Sequence, residues 1–326
     1  MEQEKNLVIC HGYGAGLGFF YRNFQDLSQQ KGWRLFAIDW LGMGNSSRPK
    51  WTISKASNQT WDDIVQVEDH FVESLESWRT KVGIDKMTLM GHSLGGYFAT
   101  CYALKYPERV QKLILVSPAG IPENSPQKQH QITNNNINPQ EELQKEATEI
   151  SASYQAEAAV AEQNAKSLPG KGRQIPAWLT YLWDRNVTPM SIIRWIGPFG
   201  PSLVYSYAAR RFAHLDESEQ HDLYDYLYHI TSSSGSGEFA LAAILAPGAY
   251  ARKPLFNRLS KLKMPTVFIY GDHDWMDYRA AEKAKQYMNV PVKVIRVSNG
   301  GHHMYLDNPI EFNYIIRQEM QEISEK

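Results

Sequence analysis

The sequence predicts an α/β protein, a mostly parallel, doubly wound sheet interrupted by one large helical insertion. Three observations carry that expectation. Short β-branched apolar runs alternate with longer helical patterns at both ends of the chain. The runs are apolar throughout rather than alternating, as buried strands covered on both faces require. The alternation then stops between about Ala119 and Met264 and resumes afterwards. The expected organisation is a core over 1–118, an insertion over 119–264 and the rest of the core over 265–326.

Taken in order, Leu7–Cys10, Arg34–Asp39, Met87–Met90 and Lys112–Val116 read as the first four strands, and Thr266–Tyr270 and Val292–Val297 as the last two. Helical patterns fall between them at Phe19–Gln30, Trp61–Val82, Gly95–Tyr106, Tyr278–Met288 and Pro309–Ile323. Such alternation winds into one sheet through right-handed crossovers. The last helix has a start signal: Asn308 as N-cap, Pro309 at the first helical position and Glu311 to complete a capping box. The insertion changes character within itself. Residues 121–165 hold seven Glu against two Lys, which suggests a loop and a solvated helix. Residues 166–214 hold seven Lys or Arg, one Asp and eight aromatics, with prolines and glycines that suggest short helices joined by tight turns. Ser232–Gly237 reads as a linker or tight loop. An insertion of this size between core strands is expected to cap an active site.

Composition narrows the function. With 34 basic and 35 acidic residues the chain has a net charge of −1, which argues against a general nucleic-acid binder. Cys10 and Cys101 are too few for a disulfide framework or a zinc site, and both sit in apolar stretches. No apolar run approaches the ~18 residues of a spanning helix.

The strongest local signal is Gly91-His92-Ser93-Leu94-Gly95, which follows an expected strand and opens an expected helix. That context is the nucleophile elbow, a turn sharp enough to need glycines around a strained, raised serine. Ser93 is the candidate nucleophile. The N–H of Leu94, at the helix start, is a candidate oxyanion donor. A serine needs a base oriented by an acid, and in this kind of sheet the chain order is serine, acid, histidine. Gly271-Asp-His-Asp274 and Gly300-Gly-His302 follow the last two strands in that order. Asp274 is the favoured acid, with Asp272 and Asp277 as rivals, and His302 is the favoured base, with His303 as its rival. His92 is expected to pack beneath the nucleophile. The loop His11-Gly12-Tyr13-Gly14 offers a second oxyanion donor, the N–H of Tyr13. Its glycines also suggest a dinucleotide loop, but Leu17 or Phe19 stands where the third glycine belongs. No metal or redox cofactor is implied.

The elbow Gly91–Tyr97, the loop His11–Gly16 and the end Gly301–Asp307 together resemble a lipid-acting branch of the α/β-hydrolases. That branch holds animal lysophospholipid hydrolases and lipase co-activators, and the fungal cardiolipin-specific deacylase with its lysophosphatidate-acyltransferase relatives. Ile196–Val204 and Ser236–Glu238 in the insertion resemble its signatures, and Tyr270–Asp277 is most similar to the fungal members. The resemblance implies the α/β-hydrolase fold, with the cap inserted after the sixth canonical strand and the first two strands missing, so that the chain is shortened or carries a bare sheet edge. It assigns the triad to Ser93, Asp274 and His302, and links His302 with Asp307 to acyl transfer onto a lysolipid, although Asp307 could equally steady the histidine loop. Co-activating members lack the serine, so its presence implies an enzyme. The expected activity is hydrolysis of phospholipid acyl esters. Acyl transfer to a lysophospholipid and a non-catalytic, lipase-recruiting scaffold are the alternatives. The expected partners are a phospholipid substrate and an anionic membrane surface touched by the basic, aromatic stretch. The implied location is intracellular and peripheral, mitochondrial by resemblance alone.

Overall fold

The computed structural model describes residues 4–53, 60–122, 182–183, 185–246 and 250–324. They form two units, 4–122 with 234–324, and 182–233. Residues 234–264, assigned to the insertion on sequence grounds, thus group with the sheet. The expected loop and helix within 121–165, and Trp178, lie outside the described residues apart from Ile121 and Pro122.

In the first unit the elements run β1 (Lys5–Cys10), α1 (Tyr21–Ser28), β2 (Trp33–Ile38), α2 (Trp61–Val82), β3 (Met87–His92), α3 (Leu94–Lys105) and β4 (Val110–Val116). The second unit contributes α4 (Pro189–Trp195), α5 (Gly200–Arg211) and α6 (Glu217–Ser232). The first unit resumes with α7 (Leu241–Ile244), a two-residue pair β5 (Leu245–Ala246) and β6 (Tyr250–Ala251), and α8 (Phe256–Leu259). It ends with β7 (Thr266–Gly271), α9 (Arg279–Lys285), β8 (Val292–Val297), α10 (Met304–Asp307) and α11 (Pro309–Ser324). The six long strands make one sheet in the order β2-β1-β3-β4-β7-β8, with every neighbouring pair parallel. All six expected strands are present. The register pairs Cys10 with Gly91, His92 with Val116 and Val116 with Ile269. The ends of β1, β3, β4 and β7 therefore open onto one edge, where a doubly wound sheet binds its ligands.

Local chemistry explains the elements. Trp61–Val82 starts in a reciprocal capping box between Thr60 and Asp63 and stops at Gly83, whose φ of 75° is the left-handed conformation that ends helices. The helix α3 is buried along Leu94–Ala103, and its Phe98 stacks on Phe71 of α2 with ring centres 4.1 Å apart. Both cysteines are buried free thiols. At the last helix the Asn308 side chain accepts the Glu311 N–H (3.3 Å), as expected. Glu311 does not close the box on the Asn308 backbone, which is already bonded to the Met304 carbonyl (2.9 Å). Its carboxylate instead accepts from the Ser298 N–H (2.9 Å) and the Asn308 amide. Ser236 and Gly237 are not a free linker: the Gly237 N–H bonds the Gly42 carbonyl (3.1 Å), and a side chain at Gly42 would meet Gly237. In the second unit, Thr188 caps α4 by accepting the Ser191 N–H, and short helical pieces run through 189–211 as the composition suggested. Among the described residues no helix is long and apolar enough to cross a membrane.

Candidate active site

Ser93 sits between β3 and α3 with φ 53° and ψ −120°, a conformation that costs a non-glycine residue about 1–3 kcal/mol and persists only where its surroundings fix it. Its N–H donates to the Val116 carbonyl (2.9 Å), and its own carbonyl accepts from Gly96 (2.9 Å), Ala119 (3.0 Å) and Tyr97 (3.2 Å). The flanking glycines leave room for this turn. A side chain at Gly91 would lie 2.5 Å from the Gly95 carbonyl oxygen, and one at Gly95 would lie 2.2 Å from that of His11.

The structure brings Ser93, His302 and Asp274 together. Nε2 of His302 is 3.1 Å from Ser93 Oγ, and its Nδ1 is 3.1 Å from Asp274 Oδ1. Asp274 is 1% exposed at its side chain and His302 13%. The rivals are occupied elsewhere: Asp272 pairs with Arg296 (2.7 Å), and exposed Asp277 accepts the Arg279 N–H at the start of α9. His303 turns its ring against Phe19, with centres 5.6 Å apart. The acid and base loops are stitched together by backbone, since His273 N–H donates to Gly300 (2.9 Å) and Asp272 N–H to Val297 (3.0 Å). Asp307 accepts the Gly301 N–H (2.8 Å), which anchors the turn just before His302. His92 lies beneath, as expected, and its Nε2–H donates to the His302 carbonyl (2.9 Å).

The loop after β1 abuts the elbow. A side chain at Gly12 would lie 2.9 Å from Ser93 Cβ and from His92 Nδ1, so only glycine fits. His11 fixes the next peptide. Its Nδ1–H donates to the Gly12 carbonyl (2.7 Å), while its Nε2 accepts the Trp40 N–H (3.2 Å). In a trans peptide the N–H points opposite the carbonyl, so clamping Gly12 orients the amide of Tyr13. Leu94, as the first residue of α3, has no acceptor for its N–H within the helix. Asp39, at the site of the dinucleotide reading, accepts the N–H groups of Leu17 (2.7 Å) and Asn45 (2.8 Å), which is a loop-bracing role.

Burial holds His11 below the ordinary histidine value, against the opposing pull of Asp39 3.5 Å away. Burial does the same to His70, packed on Trp51 and Phe71. In the unfolded chain both protonate near the usual ~6.5. Below that pH the unfolded state binds more protons, so stability is complete above about pH 6.5 and declines as pH falls toward the folded-state values. We expect the urea midpoint to drop between pH 6.5 and 5, with a shallower drop in His70→Phe. A flat profile would contradict this assignment.

Two parts of the site were not foreseen. Ser117, at the end of β4, places its Oγ 2.9 Å from His302 Nδ1, and Trp275 sets its ring 5.1 Å from that of His302. A buried polar residue at the ligand-binding edge of a core strand was the available signal for Ser117.

Comparison with known proteins identifies the family and the fold. Residues 5–309 match the family model for the alpha/beta hydrolase fold. The chain belongs to the α/β-hydrolase family. Its relatives place it among the lipid-acting α/β-hydrolase-domain members. It is 40% identical over 319 residues to a 1-acylglycerol-3-phosphate O-acyltransferase of Arabidopsis thaliana, covering 96% of this chain and 65% of that protein. It is 33% identical over 320 residues to the (lyso)-N-acylphosphatidylethanolamine lipase of Homo sapiens, covering 96% and 78%. The chain thus spans just under two thirds of the plant relative's length. Among solved structures it resembles Cfl2 from Burkholderia cenocepacia, with TM-score 0.62 and 16% identity over 98% of this chain and 88% of that one, a likeness of fold alone.

Proposed function

We propose that this member of the family is a serine-dependent lipid acyl-ester hydrolase acting on glycerophospholipids, cardiolipin or another anionic lipid among them. The observation that carries the reading is the chain of contacts from Ser93 Oγ through His302 to buried Asp274. In this mechanism His302 Nε2 takes the Ser93 proton as Oγ attacks the ester carbonyl, and Asp274 stabilises the imidazolium from the Nδ1 side. The Tyr13 and Leu94 amides hold the oxyanion of the tetrahedral intermediate; each such donor is worth about 3–4 kcal/mol in the transition state. The ester bond breaks, the lysolipid leaves with the proton from His302, and an acyl group remains on Ser93. Water, deprotonated by His302, then releases the fatty acid.

A second reading is favoured by the plant relative's name: the same acyl-enzyme passes its acyl group to a lysophospholipid hydroxyl instead of water. In that reading Asp307 contributes by fixing the His302 turn through Gly301. For lipid access we assign a membrane-contacting role to the exposed Trp195, Phe199 and Tyr205 of the second unit, whose neighbouring Arg210 is also exposed. Aromatic rings favour the membrane interface, and each basic side chain adds ~1 kcal/mol near anionic lipid.

One vesicle experiment tests these points together. Protein added to vesicles containing anionic phospholipid should float with them and release fatty acid and lysolipid; added lysophospholipid should leave fatty acid release dominant. Equal flotation with neutral vesicles would sink the anionic contact. Absence of fatty acid, with acyl groups appearing on the added lysolipid, would replace hydrolysis by transfer.

A further inference from the structure

Ser117 is fully buried at the ligand-binding edge of the sheet and has no place in the triad. It is one of four non-glycine residues with positive φ among those described, at 44°, and it directly precedes Pro118. Its N–H is pinned to the Ile269 carbonyl of β7 (2.8 Å), so the strained backbone is locked across two strands. The side chain that this backbone presents reaches His302 Nδ1 at 2.9 Å, closer than Asp274 Oδ1 at 3.1 Å. Two oxygens therefore converge on one ring nitrogen. Asp274 Oδ1 also accepts the Met276 N–H (3.0 Å), while its buried Oδ2 has no hydrogen-bond partner among the described residues.

We propose that Ser117 is a positioning residue that shares the Nδ1 proton of His302 with Asp274. The proposal rests on the reading of His302 as the base for Ser93. The other arrangement has the hydroxyl donating to a bare Nδ1. It would set a carboxylate oxygen 3.1 Å from a ring lone pair and move the ring proton to Nε2, where it faces Ser93 and cannot accept the nucleophile's proton. A charge-assisted bond from Nδ1–H to Asp274 is roughly twice as strong as a neutral one, so the Nδ1–H tautomer wins and Ser117 acts as second acceptor. The two acceptors grip the ring from elements β4 and β7–α9, which fixes its tilt. They also share the positive charge that appears on the imidazolium when Ser93 loses its proton. No atom of Ser117 is bonded to Ser93, so substrate binding is not its province.

The test uses Ser117→Gly, which removes Oγ and relieves the positive φ, beside Ser117→Ala, which removes Oγ alone. With p-nitrophenyl butyrate as probe substrate, both variants should lose about 10-fold or more in kcat, the scale of a misplaced catalytic group, with KM within about twofold. Ser117→Gly should melt no lower than wild type. A kcat for Ser117→Gly near the wild-type value, or a KM that rises as kcat falls, would overturn the proposal. A second readout needs no turnover: the downfield proton resonance of Nδ1–H, assigned by its absence in His302→Gln. It should be displaced in both variants, and an unchanged resonance would overturn the sharing of that proton. Failure of the underlying reading would look different, as a wild-type protein in which fluorophosphonate does not label Ser93.

Discussion

Ser93→Ala is expected to lower ester turnover by roughly 10^4-fold or more while leaving the fold intact. Without Oγ no acyl-enzyme forms, and what remains is the effect of binding and of the oxyanion amides. His302→Ala should cost a similar factor, and the double variant should be little worse than either single one, because the groups act as a unit. Stability should move the other way. Ser93 is held at φ 53°, and Ser93→Gly removes that strain, so its melting temperature should exceed that of wild type although its activity is lost. Lipid-product analysis and calorimetry on the four variants check both halves. Turnover by Ser93→Ala within tenfold of wild type would remove the serine from the chemistry.

The second large effect is expected at Gly95. A methyl group there would stand 2.2 Å from the His11 carbonyl oxygen and 3.0 Å from that of Cys10, both backbone atoms held in the parallel sheet and the loop that follows it. No rotamer change relieves such a contact. Either α3 withdraws from the end of β1 or the His11–Gly12 loop moves, and with it the orientation of the Tyr13 amide. Overpacking of this kind costs about 3 kcal/mol, which at roughly 2–4 °C per kcal/mol lowers the melting temperature by roughly 6–12 °C. Activity should fall in any Gly95→Ala protein that still folds. Wild-type melting and turnover would show that the elbow and the first loop are not in the contact described.

The sheet was legible because its strands are buried on both faces and so appear as unbroken apolar runs, Leu7–Cys10 and Thr266–Tyr270 among them. The elbow was legible because its glycines answer a steric demand within five residues. The choice of acid was not. Asp272, Asp274 and Asp277 lie within six residues, and what separates them is burial and partners: Arg296 for Asp272, the α9 backbone for Asp277, and the His302 ring for Asp274. His302 and His303 are adjacent, and only the turn anchored by Asp307 decides which ring reaches Ser93. Ser117 left only a weak trace in the sequence, a polar residue directly after a core strand, since its contact with His302 joins residues 185 positions apart. The capping role expected of Glu311 was half right because Ser298, distant in sequence, offered its N–H to the same carboxylate.

The most direct test of the account is to trap the acyl-enzyme. Protein mixed briefly with excess phospholipid and quenched in acid should carry one fatty acyl group, which peptide mass spectrometry should place on Ser93. The same treatment of His302→Ala should yield none. An acyl group found on another residue, or rapid lipid turnover with Ser93 always unmodified, would contradict the mechanism.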